Sequence, residues 1–212
     1  MQRKEIKELY YVTPRKNISS ILQRGILSHN EVRRTIGEPA IWHNKDVQQI
    51  RSSIIITCSH KPLHDYINLY FNCRNAALYS RLEIVHDLCI LSIDSAVCDD
   101  IGVVITPFNA ASNKAHFFYV KEGLPRLSSA NIFKKTWQNE DGTTNINTKD
   151  QMMAELLIPR TVQPFFIKRI YVSSYAVEQQ MESLGLGIAI QTWPGLFFQG
   201  LYQSPLEDNE KY

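Results

Sequence analysis

Residues 64–79 read HDYINLYFNCRNAALY. The alternation over 66–72 predicts a strand with one buried face, entered through a polar bend at 60–65. Before the bend, the apolar run 53–57 reads as another strand, and 46–52 as a helical turn. The first strand is expected at 8–13 (ELYYVT). A short helix over 17–25 follows, with Asn17 as its cap, Ile18, Ile21 and Leu22 as its apolar stripe, and Gly25 at its stop. Residues 28–46 read as a long polar connection carrying Arg33 and Arg34. Downstream, 88–93 and 103–106 are apolar strands separated by an Asp-rich turn, and 107–150 is a long, weakly periodic excursion. A capping box, Thr148 to Gln151, is expected to start a short helix before a strand at 154–158. A strand at 165–172, a helix at 176–183, a strand at 188–192 and a frayed polar end at 205–212 complete the pattern. Short strands interspersed with short helices predict an α+β domain with an antiparallel or mixed sheet. There is no βαβ rhythm and no glycine-rich phosphate loop, which removes Rossmann and P-loop enzymes.

The 212 residues are 44% hydrophobic and 10% aromatic, the composition of a globular chain, and are expected to form one domain over 1–212. Lys and Arg total 23 against 21 Asp and Glu, a net charge of +2, which argues against a protein that coats nucleic acid by bulk electrostatics. The charge is uneven, since residues 1–36 carry eight Lys or Arg and three Asp or Glu. No apolar run approaches the ~20 residues of a membrane span, and no apolar segment follows the charged N-terminus as a secretory signal requires. The chain is therefore expected to be cytoplasmic. Cys58 and Cys89 lie in apolar runs and read as buried thiols. With no paired-cysteine or His-x-x-x-His spacing, no metal is expected.

Three segments carry candidate chemistry. Arg51 ends the helical turn before an apolar strand, where an arginine can bond the last carbonyls or serve a site. Glu155 is a lone carboxylate among Met152, Met153, Ala154, Leu156, Leu157 and Ile158. On a half-buried strand it is either the outward residue of an alternating pattern or a catalytic group. Residues 102–118 run from a strand through a small polar loop containing Asn109 and Ser112 to Phe117 and Phe118, which also reads as a turn followed by a core anchor.

Together these segments resemble the DarT-type DNA ADP-ribosyltransferases, over about residues 9–198. Residues 64–79 are similar to the family pattern H-D-Y-V-P-F-Y-F-N-P-R-S-P-M-L-Y. Val103-Val-Ile-Thr followed by Asn109-Ala-Ala and Phe117-Phe118 is similar to V-F-T-D-G-N-A-A…F-F. Arg51-Ser-Ser resembles the catalytic arginine, and Gln151…Ala154-Glu155-Leu-Leu-Ile the catalytic-glutamate strand. Where the family opens Y-H-I-T-H, this chain has Tyr11, Val12, Thr13 and Pro14, so a tyrosine hydroxyl takes the place of an imidazole.

The resemblance implies an ADP-ribosyltransferase-like split mixed β-sheet, with short helices and a long substrate-side loop region. It implies NAD+ as co-substrate, no metal, single-stranded DNA as acceptor and a macrodomain-type antitoxin as partner. Glu155 and Arg51 are then the catalytic pair. Tyr11, Val12, Thr13, Asn17, Ile18 and Arg51 are the expected NAD+ contacts, with Tyr70, Phe71 and Tyr79 as nicotinamide-stacking candidates, at least one of them core. Arg74, Asn109, Lys114 and His116 are expected to face nucleic acid, with Arg33, Arg34 and Lys121 as further cations and Phe108, Phe117 and Trp137 as stacking aromatics. An RNA, protein or small-nucleotide acceptor, or a relative that binds without turnover, are the alternatives.

Overall fold

The run LCILSI at 88–93 is apolar on both of its faces, the pattern of a strand covered on two sides. It lies in the interior of the sheet, paired on both sides. The structure, a computed structural model, describes residues 1–38 and 45–199. In chain order its strands are β1 (Glu8–Pro14), β2 (Ile26–Leu27), β3 (Ile55–Ile56), β4 (Lys61–Pro62), β5 (Tyr66–Tyr70) and β6 (Leu88–Asp94). Then come β7 (Val104–Thr106), β8 (Phe118–Tyr119), β9 (Glu155–Pro159), β10 (Thr161–Val162), β11 (Ile167–Val172) and β12 (Ile190–Thr192). Eight of these form one mixed sheet in the order β12-β11-β6-β1-β5-β9-β7-β8. All its pairings are antiparallel except that of β11 with β12. Two ribbons, β2 with β10 and β3 with β4, stand outside it. The helices are short: α1 (Ile18–Arg24), α2 (His29–Thr35), α3 (Lys45–Ser53), α4 (Ala76–Tyr79), α5 (Val120–Gly123), α6 (Ser129–Ile132), α7 (Ile146–Gln151) and α8 (Tyr175–Glu182). None of the helices among the described residues is long and apolar enough to cross a membrane.

Period-two alternation sorts the strand residues between two faces. Leu9, Ile67, Leu69, Leu91, Ile105, Leu156 and Ile158 share one continuous core. The other face is divided. Tyr10, Tyr70, Leu88, Ile90 and Tyr171 belong to one cluster, and Tyr66, Val104 and Leu157 to another with Ile56 and Leu63. Between the two clusters the alternation leaves three polar positions: Asn68, Glu155 and Thr106. Glu155 pairs with Tyr70 on one side and Thr106 on the other, so all three project from the same face.

The sheet is split at its centre. β1 pairs with β6 along its whole length, from Glu8↔Asp94 to Pro14↔Leu88. With β5 it shares a single pair, Tyr10↔Tyr70. Beyond that pair the two strands diverge, and α1 and β2 return through the gap. The return is fixed by Gly25, whose φ of +85° suits glycine and whose absent Cβ makes room for the Val162 carbonyl oxygen.

Several expected boundaries move. The polar connection at 28–46 contains α2, capped by the Ser28 hydroxyl accepting from the Glu31 amide at 3.3 Å; positions 39–44 of that connection lie outside the described residues. The strand expected at 53–57 shrinks to Ile55–Ile56, because α3 runs on to Ser53. The helix before β9 is capped by Asn145, whose side chain accepts from the Thr148 amide at 3.0 Å, so the proposed box at Thr148 lies inside the helix. The excursion at 107–150 holds β8 and three of the short helices. The last long strand starts at Ile167, since Pro164–Phe166 is a 3-10 turn that leaves Phe165 exposed. Cys58 is half-buried, whereas Cys89 is buried as expected. The expected fraying at 205–212 falls outside the described residues.

Gly25→Ala therefore adds both a strained φ and a backbone collision. It is expected to destabilise the fold by about 1–3 kcal/mol, read as a lower urea midpoint at unchanged slope; an unchanged midpoint would contradict the role given to this turn.

Candidate active site

The divergence of β1 and β5 leaves a cleft of about 270 Å³. Tyr11, Thr13 and Asn17 line one lip, His64, Tyr66 and Asn68 the other, and α2 and α3 contribute His29, Val32, Gln48 and Arg51. The alternation of β1 sends Tyr11 and Thr13 towards the cleft and Tyr10 and Val12 to the opposite face. Asn17 donates from Nδ2 to Thr13 Oγ1 at 3.1 Å, fixing the start of α1 to the end of β1.

At the inner end of the cleft, Arg51 reaches Glu155. The last turn of α3 buries the Arg51 side chain, and Nη1 lies 3.3 Å from Glu155 Oε2 and 3.5 Å from Oε1. Glu155 is completely buried, so it is not the outward residue of an alternating strand. The Ala110 amide donates to its Oε1 at 3.3 Å, which ties the small polar loop after β7 to the carboxylate. Burial pushes the Glu155 carboxyl above the usual carboxylate range, opposed by the Arg51 charge and the Ala110 amide. Breaking a buried pair of this kind by removing one partner typically costs about 3–5 kcal/mol, more than the intact pair contributes, so its presence points to function rather than stability.

A second cluster lies on the wall formed by α2 and the 3-10 turn Leu63–Asp65. The rings of His29 and His64 stack with centroids 4.1 Å apart. Asn30 Nδ2 donates to Asp65 Oδ1 at 2.8 Å, holding α2 against this turn. Burial, and then the nearby charges of His29, Arg51 and Arg33, lower the His64 pKa to about 4. The His29 pKa is also lowered, chiefly by burial and then by Arg33. His29 Nδ1, His64 Nε2 and Thr106 Oγ1 are buried and have no hydrogen-bond partner among the described residues. Buried polar atoms of that kind are rare, and those of the two histidines stand where a polar ligand would satisfy them.

The sequence candidates divide accordingly. Tyr11, Thr13, Asn17 and Arg51 are brought together in the cleft, with Glu155 at its inner end. Tyr70 is buried on the Glu155 face, and its hydroxyl is raised by burial and by the Glu155 charge. Val12 faces the other way, while Ile18 and Phe71 are core residues with 1% exposure, so none of these three side chains offers a surface to a ligand in the cleft. Tyr79 lies outside the cleft, against Trp137 and Phe198. Among the nucleic-acid candidates, Arg74 donates to the Lys135 carbonyl at 3.2 Å and to the Gly195 carbonyl. Asn109 shapes its own turn by accepting from the Ala111 amide. Lys114 pairs with Asp150 at 2.6 Å, and His116 lines a separate hollow with Phe108, Phe118 and Arg126. Arg33 and Arg34 pair with Glu38 and Glu31, Lys121 borders a further hollow beside Asp99 and Asp100, and Phe117 is core. His29, Gln48, His64, Asn68 and Thr106 join the site although sequence reasoning assigned them no role. The signal for His64 was its place at the head of the 64–79 segment; His29 gave none.

A family model described as "ssDNA thymidine ADP-ribosyltransferase, DarT" matches residues 10–198. A curated relative from Thermosipho africanus, a DNA ADP-ribosyl transferase–DNA ADP-ribosyl glycohydrolase fusion protein, is 33% identical over 183 residues, covering 83% of this chain and 45% of that protein. A DNA ADP-ribosyl transferase from Thermus aquaticus is 25% identical over 189 residues, covering 83% of this chain and 79% of that one. The structure of Thermosipho africanus DarTG in complex with ADP-ribose superposes with a TM-score of 0.76 at 30% identity, over 91% of this chain and 51% of its own. Thermus sp. 2.9 DarT in complex with ADP-ribosylated ssDNA has the same fold, with a TM-score of 0.74 at 19% identity over 91% and 96% of the two chains. The chain spans about half the length of the Thermosipho protein.

The histidine wall has a consequence for stability. The folded chain keeps His64 neutral down to about pH 4, whereas an unfolded histidine takes its proton near pH 6.5. Between these values the unfolded state binds more protons, so stability is expected to rise with pH across the window. His64→Gln should flatten that rise in urea titrations at stepped pH; an equally steep profile in the variant would show that other groups cause it.

Proposed function

This chain belongs to the DarT family of ssDNA thymidine ADP-ribosyltransferases, and we propose that it transfers ADP-ribose from NAD+ to a base of single-stranded DNA. The observation that carries the reading is the buried Arg51–Glu155 pair at the inner end of the cleft. The cleft fits the co-substrate in kind: it offers a guanidinium, the Asn17 amide, the Tyr11 hydroxyl and two unpartnered imidazole nitrogens to a ligand made of phosphates, riboses and rings. When bound, NAD+ would supply the ADP-ribosyl group, with nicotinamide as its leaving group.

In the reaction the bond between ribose C1′ and the nicotinamide nitrogen breaks, and its electron pair leaves with nicotinamide. A nitrogen of the acceptor base forms the new bond to C1′ and loses a proton. Glu155 serves both events. As a carboxylate beside the ribose it stabilises the positive charge that develops there, an effect strengthened by its dry surroundings. It then accepts the proton given up by the base. Burial drives this carboxyl towards its neutral form, and the Arg51 charge and the Ala110 amide act in the opposite direction, favouring the ionised form. Arg51 is permanently charged and planar, which also suits it to hold an NAD+ phosphate or polarise the base carbonyl. The Ala110 amide fixes the carboxylate from the side of the polar loop. A second protein that removes the mark is the expected partner, in keeping with the glycohydrolase half of the Thermosipho fusion protein.

Incubation with labelled NAD+ and, separately, single-stranded DNA, duplex DNA, RNA or protein tests this reading. Label is expected on the single DNA strand, with release of nicotinamide. Glu155→Gln, which keeps the volume, is expected to lower the rate by about a hundredfold or more. Label found only on protein, or full activity in the variant, would overturn the assignment.

A further inference from the structure

Three aromatic rings meet outside the cleft, one of them, Phe198, packed on the cluster that holds Tyr70, the strand partner of Glu155. The Tyr79 ring lies 5.1 Å from that of Phe198 and 5.5 Å from that of Trp137, while Trp137 and Phe198 are 5.8 Å apart, all edge to face. Tyr79 is 54% exposed, whereas the rings of a purely structural trio would be buried. The Arg74 guanidinium lies 4.2 Å over Phe198, and the Lys149 ammonium 6.0 Å from Trp137. Hydrogen bonds tie the supporting segments together. Arg74 bridges the Lys135 and Gly195 carbonyls, and Asn72 Nδ2 donates to the Ile132 carbonyl at 2.7 Å and the Lys134 carbonyl at 3.0 Å. Phe198 packs against a core cluster in which Leu78, Met153, Leu196 and Phe197 join Tyr70.

We infer that Tyr79, Trp137 and Phe198 form a base-stacking platform for the single strand, receiving nucleotides that flank the acceptor base. The inference rests on the single-stranded acceptor proposed above and adds the place where the strand is held. Its position carries it. Tyr70, the strand partner of Glu155, belongs to the cluster on which Phe198 packs, whereas Tyr66 and Asn68, earlier on the same strand, line the cleft. The cleft and the rings therefore approach Glu155 from opposite ends of β5, as the two substrates of a transfer must. Every base has a face that can stack, so such a surface holds a strand without reading its sequence. Lys134, Lys135 and Lys149 share this region with Glu140 and Asp141, so ring faces rather than net charge supply the attraction.

Fluorescence anisotropy with a labelled single-stranded oligonucleotide and the full chain tests the platform. Trp137→Ala is expected to weaken binding about tenfold or more, with an unchanged melting temperature, and Trp137→Tyr to restore most of it. On an oligonucleotide carrying abasic sites on both sides of the acceptor base, wild type and Trp137→Ala should bind alike. Should Trp137→Ala fold poorly, Tyr79→Ala, at the most exposed of the three rings, gives the same comparison. Undiminished binding by a folded variant overturns the platform, as does a loss that persists on the abasic strand. If the wild type labels the oligonucleotide while these variants bind it undiminished, the acceptor assignment stands and the platform alone fails. A wild type that neither binds nor labels it overturns both.

Discussion

Glu155 has no access to water, and a single guanidinium opposes its charge. Taking an ion pair out of water costs several kcal/mol per charge, which Coulomb attraction at 3.3 Å repays only if the partners are held in place. Much of the domain does this holding. β9 fixes Glu155 between Tyr70 and Thr106, α3 delivers Arg51 from the other side of the cleft, and the turn after β7 adds the Ala110 amide. An apolar pair of the same volume would serve folding equally well. What it would not provide is a carboxyl group in a dry pocket, next to a cleft with unpartnered polar atoms.

The split between β1 and β5 opens the cleft whose Arg51 reaches that carboxylate. A continuous sheet would pair Tyr11 to Thr13 with β5 and close the cleft. Instead one residue pair joins the two halves, and α1, Gly25 and β2 hold the gap open. The divided second face has the same effect seen from the side: two apolar clusters flank a strip of polar positions, and the proposed reaction uses that strip. The cleft lies towards one end of β5 and the aromatic surface towards the other, so the proposed sites for co-substrate and strand do not share walls.

What the sequence disclosed follows from how local each feature is. Strands 88–93 and 154–158 announce themselves because they are apolar on both faces or nearly so, and Glu155 is conspicuous because it interrupts such a run. Residues 64–79 and Arg51 were legible through family resemblance. Features that depend on distant partners were not. Helix α2 is polar and stabilised through Asn30 and its Ser28 cap, so its stretch reads as a connection. The stacking of His29 on His64 joins residues with no shared local pattern. Tyr79 and Phe71 look equivalent in a string of aromatics, yet one faces solvent and the other lies in the core, a difference set by the register of β5 and the turn into α4.

If Arg51 and Glu155 act as a unit, each is of little use without the other. Single-turnover transfer rates for wild type, Arg51→Lys, Glu155→Gln and the double variant, at a temperature where all four are folded, measure this directly. The double variant is expected to be no slower than the slower single variant. Losses that multiply would mean that the two residues contribute independently, and would contradict the coupled role given to the pair.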